Sequence, residues 1–202
     1  MLQSKLFGKT NKEIKESASK NAELLVRGGF IQQTMAGVYS FLPLGYKVLE
    51  KIEDIIREEM DKVGQELFLP AITPKELWQK TDRLDSVGIL FKVAPANKLS
   101  KKTNDAEYVL NSTHEEVITP IAKSFNFSYK DLPFAVYQIQ TKFRNEARPK
   151  SGLLRGREFR MKDLYSFHKD EKDLKDYYEK IKKSYMKIFD RLGIGKDTVI
   201  AA

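Results

Sequence analysis

The segment from Phe143 to Phe159, FRNEARPKSGLLRGREF, carries the most informative pattern in this 202-residue chain. The residues on each side of its Pro- and Gly-containing loop have the composition of β-strands, so the segment predicts a β-hairpin. Such a hairpin would hold the cations of Arg144 and Arg155, the carboxylate of Glu146 and the ring of Phe159 in fixed positions. That combination suits a polyphosphate that carries a flat purine.

The returning strand of this hairpin supports a pocket rather than a plain core. Side chains alternate between the two faces of a strand. One face would carry Arg157, Phe159, Met161, Asp163, Tyr165 and Phe167. Aromatic rings mixed with a carboxylate and a guanidinium are unusual for a core and also for open solvent. The alternative is a surface hairpin with cross-strand Arg–Glu pairs, each contributing under about 1 kcal/mol.

Around the hairpin, apolar residues at helical spacing predict helices at about residues 10–25, 48–63, 117–125 and 174–192. The first of these opens with Thr10-Asn11-Lys12-Glu13, which has the form of a capping box. The predicted strands are Glu66–Pro70, Tyr108–Leu110, Phe134–Arg144, Arg157–Phe167 and a segment that begins at Asp197. We interpret Met35–Leu44 as a loop or short extended piece, and Lys98–Asp105 as an exposed loop.

These elements predict one α+β domain. The strand expected from Asp197 has no partner in the sequence, so the domain is expected to be incomplete at its C-terminal end. The composition, 41% hydrophobic and 32% charged residues, is that of a folded globular protein. No apolar run is long enough for a bilayer, and the first residues lack a secretion-signal pattern.

The chain contains no cysteine, which excludes disulfides and thiolate metal sites and fits a cytoplasmic protein. The net charge of +8 fits a polyanionic partner such as nucleic acid, and it fits equally a chain that is simply rich in lysine. His114 and His168 lack a third ligand at metal spacing, so no protein-bound metal is expected. We expect His114 to point away from the pocket, and His168 to be a structural hydrogen bonder or a ligand contact.

Several stretches of the chain resemble a known family. Arg144-Asn145-Glu146, followed by Arg155 and Phe159 and then Asp163, is similar to motif 2 of the class II aminoacyl-tRNA synthetases. The stretches YQIQTKFRNEARP (137–149) and REFRMKDLYSFH (157–168) resemble the bacterial-type prolyl-tRNA synthetases in particular. GVYSFLPLG (37–45), with the helix and strand that follow to Pro70, resembles motif 1. The similarity covers nearly the whole chain and is loosest at about residues 94–107.

The resemblance implies a class II antiparallel sheet flanked by helices, with motif 1 at about residues 37–70 and motif 2 at about 134–168. It also implies an enzyme that activates proline with ATP and charges tRNA(Pro). Arg144 would be the catalytic residue at the α-phosphate. Phe159 would stack on adenine, Arg155 would reach the terminal phosphates, and Glu146 would contact the adenine side or the tRNA end. Mg²⁺ would enter with ATP.

For the amino acid, the resemblance implies that Thr113 and Glu115 receive the proline ammonium, while Arg144 lies near the carboxylate. Met161, Asp163 and Tyr165 would wall the proline site. For Thr113, sequence spacing alone offers an alternative. Thr113-x-x-Glu116 also has the form of a capping box before the next helix. Both interpretations could hold together.

The resemblance further implies a homodimer formed through motif 1, although the apolar stripe from Val48 to Val63 could equally be core. The third motif, the editing domain and the anticodon-binding domain of the family are absent from these 202 residues. We therefore expect the isolated chain to have little or no activity. The alternative function is an inactive synthetase-like module that binds nucleotide or RNA.

Overall fold

The computed structural model describes residues 3–10, 19–125 and 128–201, and it contains both helices and sheets. The helices are α1 (Lys20–Arg27), α2 (Pro43–Met60), α3 (Lys75–Gln79), α4 (Lys98–Thr103), α5 (Glu115–Phe125) and α6 (Glu171–Arg191). The strands are β1 (Ile31–Met35), β2 (Val38–Phe41), β3 (Gln65–Glu66), β4 (Ile72–Pro74), β5 (Phe91–Val93), β6 (Tyr108–Leu110), β7 (Phe134–Phe143) and β8 (Glu158–Phe167). The α+β prediction is confirmed.

The strands form three small sheets. β1 pairs with β2, and β6 lies between β4 and β5; all of these pairs are antiparallel. In the third sheet β7 lies between β3 and β8, and β3 runs parallel to β7. A parallel pair needs a long connection, and the chain between β3 and β7 provides one. The expected antiparallel arrangement therefore has an exception at β3.

The chain divides into two compact units, and the long strands β7 and β8 contribute to both. The first unit comprises Met1–Lys47, Leu69–Thr119 and Thr141–Met161. The second comprises Val48–Phe68, Pro120–Gln140 and Lys162–Ala202. No helix in the part of the chain that the structure describes is long and apolar enough to cross a membrane.

The second unit has a hydrophobic core in which α2, β7 and α6 meet. Met60, Tyr137, Ile139 and Ile188 are buried there, and Ile55, Ile56, Val63, Leu164 and Leu192 pack against them. The second half of the apolar stripe of α2 is therefore core, as one of the two interpretations of the stripe predicted. Val48, at the other end of the stripe, is exposed.

The segment Met35–Leu44 contains the short extended piece that was one of its two interpretations, since β2 lies between the end of β1 and the start of α2. Other elements differ from the sequence predictions. The predicted loop at Lys98–Asp105 is wrong, because α4 begins there after Asn97, whose side chain accepts hydrogen bonds from the backbone of Leu99 and Ser100. A strand from Asp197 is also wrong, since Gly195–Asp197 is a 3-10 turn and no strand follows up to residue 201.

At the N-terminal end, the predicted capping box at Thr10–Glu13 lies mostly outside the described residues. In place of the predicted helix at about residues 10–25, α1 begins at Lys20, after Ser19 with extended backbone, and ends at Arg27. Of the predicted strand at Glu66–Pro70, only Glu66 lies in a strand, as the second residue of β3. The hairpin strands, the strand at Tyr108–Leu110 and the last two predicted helices lie within a few residues of their expected positions.

One buried acid helps to hold α2 to α6 in the second unit. Glu59 is 2% exposed, and its carboxylate lies 2.7 Å from Lys62 Nζ and 2.8 Å from Arg191 Nη1. Lys62 and then Arg191 lower the pKa of Glu59 from 4.5 to about 2, although burial acts in the opposite direction. The folded state therefore favours the ionised form of this acid.

Glu59 should make the free energy of unfolding depend on pH. Because its folded pKa lies below its unfolded pKa, its contribution is complete above about pH 4.5 and is lost as the pH falls toward 2. Glu59→Gln should lower the free energy of unfolding by roughly 2 kcal/mol at neutral pH, and this difference should shrink on acidification. Urea unfolding between pH 7 and pH 2.5 measures both.

Glu171→Gln serves as the control for this prediction, since Glu171 forms an exposed ion pair with Lys175. Its difference from wild type should stay within about 0.5 kcal/mol throughout. A Glu59→Gln difference that is constant over the same pH range would contradict the role given to Glu59.

Candidate functional site

Arg144 and Phe159 lie on the same side of the β7–β8 hairpin. The backbone N–H of Arg144 donates to the carbonyl of Arg157 at 2.8 Å, which fixes the end of the hairpin. The guanidinium carbon of Arg144 is 5.2 Å from the centroid of the Phe159 ring. Nε of Arg144 is buried and has no hydrogen-bond partner among the described residues. The site thus combines an aromatic surface with a guanidinium that can still donate to an anion.

The second predicted pair of ATP contacts, Glu146 and Arg155, is held together. Nη2 of Arg155 lies 2.8 Å from Oε2 of Glu146, and its Nε donates to the same oxygen at 3.0 Å. The Arg155 side chain is 61% exposed, so water screens this pair. An Arg–Glu pair is therefore present as in the alternative interpretation, but it lies in the loop between β7 and β8 and does not connect the two strands.

Arg157 supports the loop of the hairpin, a role that the sequence reasoning missed. Its Nε donates to the carbonyl of Glu146 at 2.9 Å, and its backbone N–H donates to the carbonyl of Gly37 at 2.7 Å. Gly37 has φ +77°, and a Cβ there would lie 2.8 Å from the Pro149 ring. The turn between β1 and β2 therefore needs glycine in order to lie against the loop.

Thr113 and Glu115 are in direct contact at the start of α5. Thr113 Oγ1 donates to Glu115 Oε2, and Arg83 Nη1 lies 3.3 Å from the same oxygen. The carboxylate lies in the first turn of the helix, where the aligned peptide dipoles favour negative charge. The two residues predicted to receive an ammonium group therefore form one polar cluster with Arg83.

Glu116 does not complete a capping box with Thr113. Its side chain is 1% exposed, and its Oε1 accepts hydrogen bonds from Arg83 Nη1 at 2.8 Å and from Thr81 Oγ1 at 3.2 Å. The capping-box alternative is therefore wrong for this glutamate. Sequence spacing could not reveal its partners, because they lie more than thirty residues away along the chain.

Backbone hydrogen bonds connect the Arg144 region to two other segments of the first unit. The N–H of Phe143 donates to the carbonyl of Asn111 at 3.3 Å, and the N–H of Asn145 donates to the carbonyl of Ile89 at 2.7 Å. Asn111 precedes Thr113 by two residues. The fold thus brings the hairpin end next to the segment that leads into α5.

The remaining predicted residues lie farther along β8. Met161 is half-buried in the first unit. In the second unit, Oδ2 of Asp163 accepts hydrogen bonds from the Tyr165 hydroxyl at 2.6 Å and from Gln138 Nε2 at 3.0 Å. Nδ1 of His168 lies 3.1 Å from Asp173 Oδ2, which is the structural contact expected as one alternative. Within the described ranges, no group of three or more His, Asp or Glu residues could hold a metal ion.

Comparison with known proteins gives the family of this chain. A family model described as tRNA synthetase class II core domain (G, H, P, S and T) matches residues 91–202, more than half of the chain. The chain belongs to this family. The class II core assignment made from the hairpin is thereby confirmed.

Individual relatives of this class II core are prolyl-tRNA synthetases. The chain is 48% identical to a proline–tRNA ligase of Bacillus cytotoxicus over its whole length, and it spans 35% of the length of that relative. A Cryptosporidium parvum prolyl-tRNA synthetase complexed with L-proline and AMP shares the fold, with TM-score 0.73 and 20% identity over 92% of this chain and 36% of its own. A Giardia lamblia prolyl-tRNA synthetase in complex with prolyl-adenylate gives TM-score 0.70 and 24% identity over 79% and 33%.

Arg83 should be important for the stability of this class II core. Arg83→Met would leave the buried Glu116 carboxylate without its guanidinium partner, which should cost about 3 kcal/mol in the free energy of unfolding. Urea denaturation at pH 7 measures this. Lys20→Met, which removes an exposed pair with Glu23, is the control and should change stability by less than about 0.5 kcal/mol. Equal small effects of both substitutions would contradict the role of Arg83.

Proposed function

We propose that this chain is part of the catalytic domain of a proline–tRNA ligase, which activates proline with ATP and transfers the prolyl group to tRNA(Pro). The observation that carries the proposal is the Arg144 guanidinium, 5.2 Å from the Phe159 ring on one side of the hairpin. The 48% identity to proline–tRNA ligases supports the choice of proline within the family.

The ATP end of the proposed site follows from these two residues. The Phe159 ring offers an apolar surface on which adenine stacks. Arg144 holds the α-phosphate with a planar guanidinium, which can donate two parallel hydrogen bonds to phosphate oxygens. Arg155, which is exposed and paired with Glu146, exchanges that carboxylate for the terminal phosphates. Glu146 then serves the adenine side or the tRNA end, and Mg²⁺ enters as the ATP complex.

The amino-acid end is proposed at the start of α5. Because the Thr113 hydroxyl donates a hydrogen bond to Glu115, the lone pairs of Oγ1 remain acceptors for the secondary ammonium of proline. The Glu115 carboxylate supplies the opposite charge. Met161, Asp163 and Tyr165 remain predictions from the family resemblance for the residues around the proline ring.

In the proposed reaction, a carboxylate oxygen of proline attacks the α-phosphorus of ATP. The new O–P bond forms as the bond to pyrophosphate breaks, and pyrophosphate leaves with its electron pair. Arg144 stabilises the negative charge that develops on the α-phosphate oxygens. Since no proton has to move in this step, positioning of the two substrates supplies most of the acceleration.

Three further parts of the proposal come from the resemblance. The 3′ end of tRNA(Pro) accepts the prolyl group, a homodimer forms through residues 37–70, and the protein acts in the cytoplasm. Size-exclusion chromatography with light scattering on the full-length protein tests the dimer directly.

The test uses the full-length protein that contains these residues and measures ATP–pyrophosphate exchange with proline, glycine, serine, threonine or histidine. Exchange should require proline. Arg144→Gln should lower kcat by roughly 100- to 1,000-fold, since it removes the cation at the α-phosphate. Phe159→Leu should raise KM for ATP about 5- to 100-fold with a smaller change in kcat, because it removes the stacking surface.

Arg27→Gln is the control, because it removes an exposed guanidinium of α1 and should leave all constants near wild type. Exchange that depends on another amino acid would reject the choice of proline. ATP binding without any exchange would favour the inactive nucleotide-binding module instead. Normal kcat in Arg144→Gln would reject the catalytic role of this arginine.

A further inference from the structure

Lys142 and His114 form a fully buried pair that has no role in the chemistry described above. Both side chains lie in the first unit and have 0% exposure. Nζ of Lys142 is 2.5 Å from Nδ1 of His114. Neither residue was predicted as part of the site, although strand alternation places Lys142 on the same face of the hairpin strand as Arg144.

The Pro70 carbonyl assigns one proton of this pair. Nε2 of His114 lies 2.9 Å from the carbonyl oxygen of Pro70. A carbonyl oxygen can only accept, so Nε2 carries a proton and donates a hydrogen bond. In the neutral imidazole Nδ1 is then the acceptor, and Nζ of Lys142 is its hydrogen-bond donor. The imidazole is anchored at both nitrogens, by the hairpin on one side and by Pro70 on the other.

His114 also sets where α5 begins. Its carbonyl accepts the backbone N–H of Ile118 at 2.9 Å and that of Val117 at 3.0 Å, so it is the residue that caps the helix. Thr113 precedes it, and Glu115 is the first residue of the helix. Anchoring the ring of His114 therefore fixes the backbone from which the Thr113 and Glu115 side chains extend.

The Lys142–His114 pair is also connected to Arg144, through the hairpin strand that carries Lys142. Lys142 is two residues before Arg144, and between them the N–H of Phe143 donates to the carbonyl of Asn111. Two ties thus join the hairpin end to residues 111–115, one through the backbone and one through the Lys142–His114 side chains. Two separated ties fix the orientation of a segment, whereas one tie would leave it free to pivot.

We propose that Lys142 is a positioning residue, whose Nζ acts through His114 to hold the Thr113–Glu115 segment in a fixed position relative to Arg144. This inference rests on the proposed function, in which Thr113 and Glu115 bind the amino acid while Arg144 binds the α-phosphate. Nucleophile and phosphorus must approach to about 3–3.5 Å in line, and a misplacement of about 1 Å can cost 100-fold in rate.

A substitution at residue 142 can separate a role in packing from a role in positioning. A methionine has nearly the length of lysine and carries no charge that must be removed from water, so it can serve packing as well as lysine does. It cannot donate to Nδ1 of His114. Lys142→Met therefore separates a positioning role from a packing role.

The experiment measures proline-dependent ATP–pyrophosphate exchange by the full-length protein, with active sites counted from a burst of adenylate formation. Exchange by the wild type is the first readout, and its absence would reject the proposed function rather than this inference. In Lys142→Met, kcat/KM for proline should fall about 100-fold per active site, while KM for ATP stays within about twofold. The KM for ATP should be unchanged because Arg144 and Phe159 remain together on the hairpin.

Two substitutions of His114 provide the matched comparison. His114→Leu removes both ring contacts and should reproduce the loss in kcat/KM for proline. His114→Gln keeps an acceptor for Lys142 and a donor for the Pro70 carbonyl, so it should retain activity within about tenfold of wild type. In the double variant Lys142→Met/His114→Leu, kcat/KM for proline should be within about threefold of the value for the less active single variant. Both substitutions break the same side-chain contact, so their effects should not multiply.

Ile139→Val, in the core of the second unit, is the control for a simple loss of stability and should leave both KM values unchanged. The inference is overturned if Lys142→Met keeps wild-type kinetics, or if its only effect is a smaller fraction of active sites. It is also overturned if the effects of Lys142→Met and His114→Leu multiply. If Lys142→Met does not fold, the two His114 variants provide the test. Equal activity of His114→Leu and His114→Gln would then overturn the inference.

Discussion

The hydrogen bonds to one carbonyl, that of Pro70, underlie the arrangement of residues 111–114 in the first unit. Its oxygen accepts from Asn111 Nδ2 and from His114 Nε2, both at 2.9 Å. Oδ1 of Asn111 in turn accepts from Thr73 Oγ1 at 2.8 Å and from Trp78 Nε1 at 3.3 Å. A buried polar group that loses its partner costs about 1–3 kcal/mol, so each member of this network restrains the others.

This network restrains the backbone that carries the proposed amino-acid site. It fixes the segment from Asn111 to His114, and the hairpin end is attached to that segment through Phe143. Charged side chains then extend from a backbone that is already restrained, which reduces the entropy lost when substrates bind. The proposed reaction depends on positioning more than on proton transfer, so a rigid polar core suits it.

The sequence predicted those elements whose signal is local. The hairpin strands were expected at Phe134–Arg144 and Arg157–Phe167 and are found at Phe134–Phe143 and Glu158–Phe167, because alternation and the Pro/Gly loop are properties of neighbouring residues. α6 was found from its apolar period in the same way. α4 was missed because a six-residue polar helix has no apolar stripe, although Asn97 and Ser100 form its capping box.

Some features of the candidate site could likewise be predicted from local sequence, and others depend on the folded chain. Sequence by itself determined the residue types at the hairpin and the family resemblance they carry. The common side of Arg144 and Phe159 was a prediction, and it needed the structure because alternation within one strand does not fix how two strands pair. Tertiary structure decided which charges are neutralised and by what. Glu116 pairs with Arg83, and His114 pairs with Lys142, across 33 and 28 residues of chain. Such pairs depend on distances in the folded chain, and no periodicity in the sequence records them.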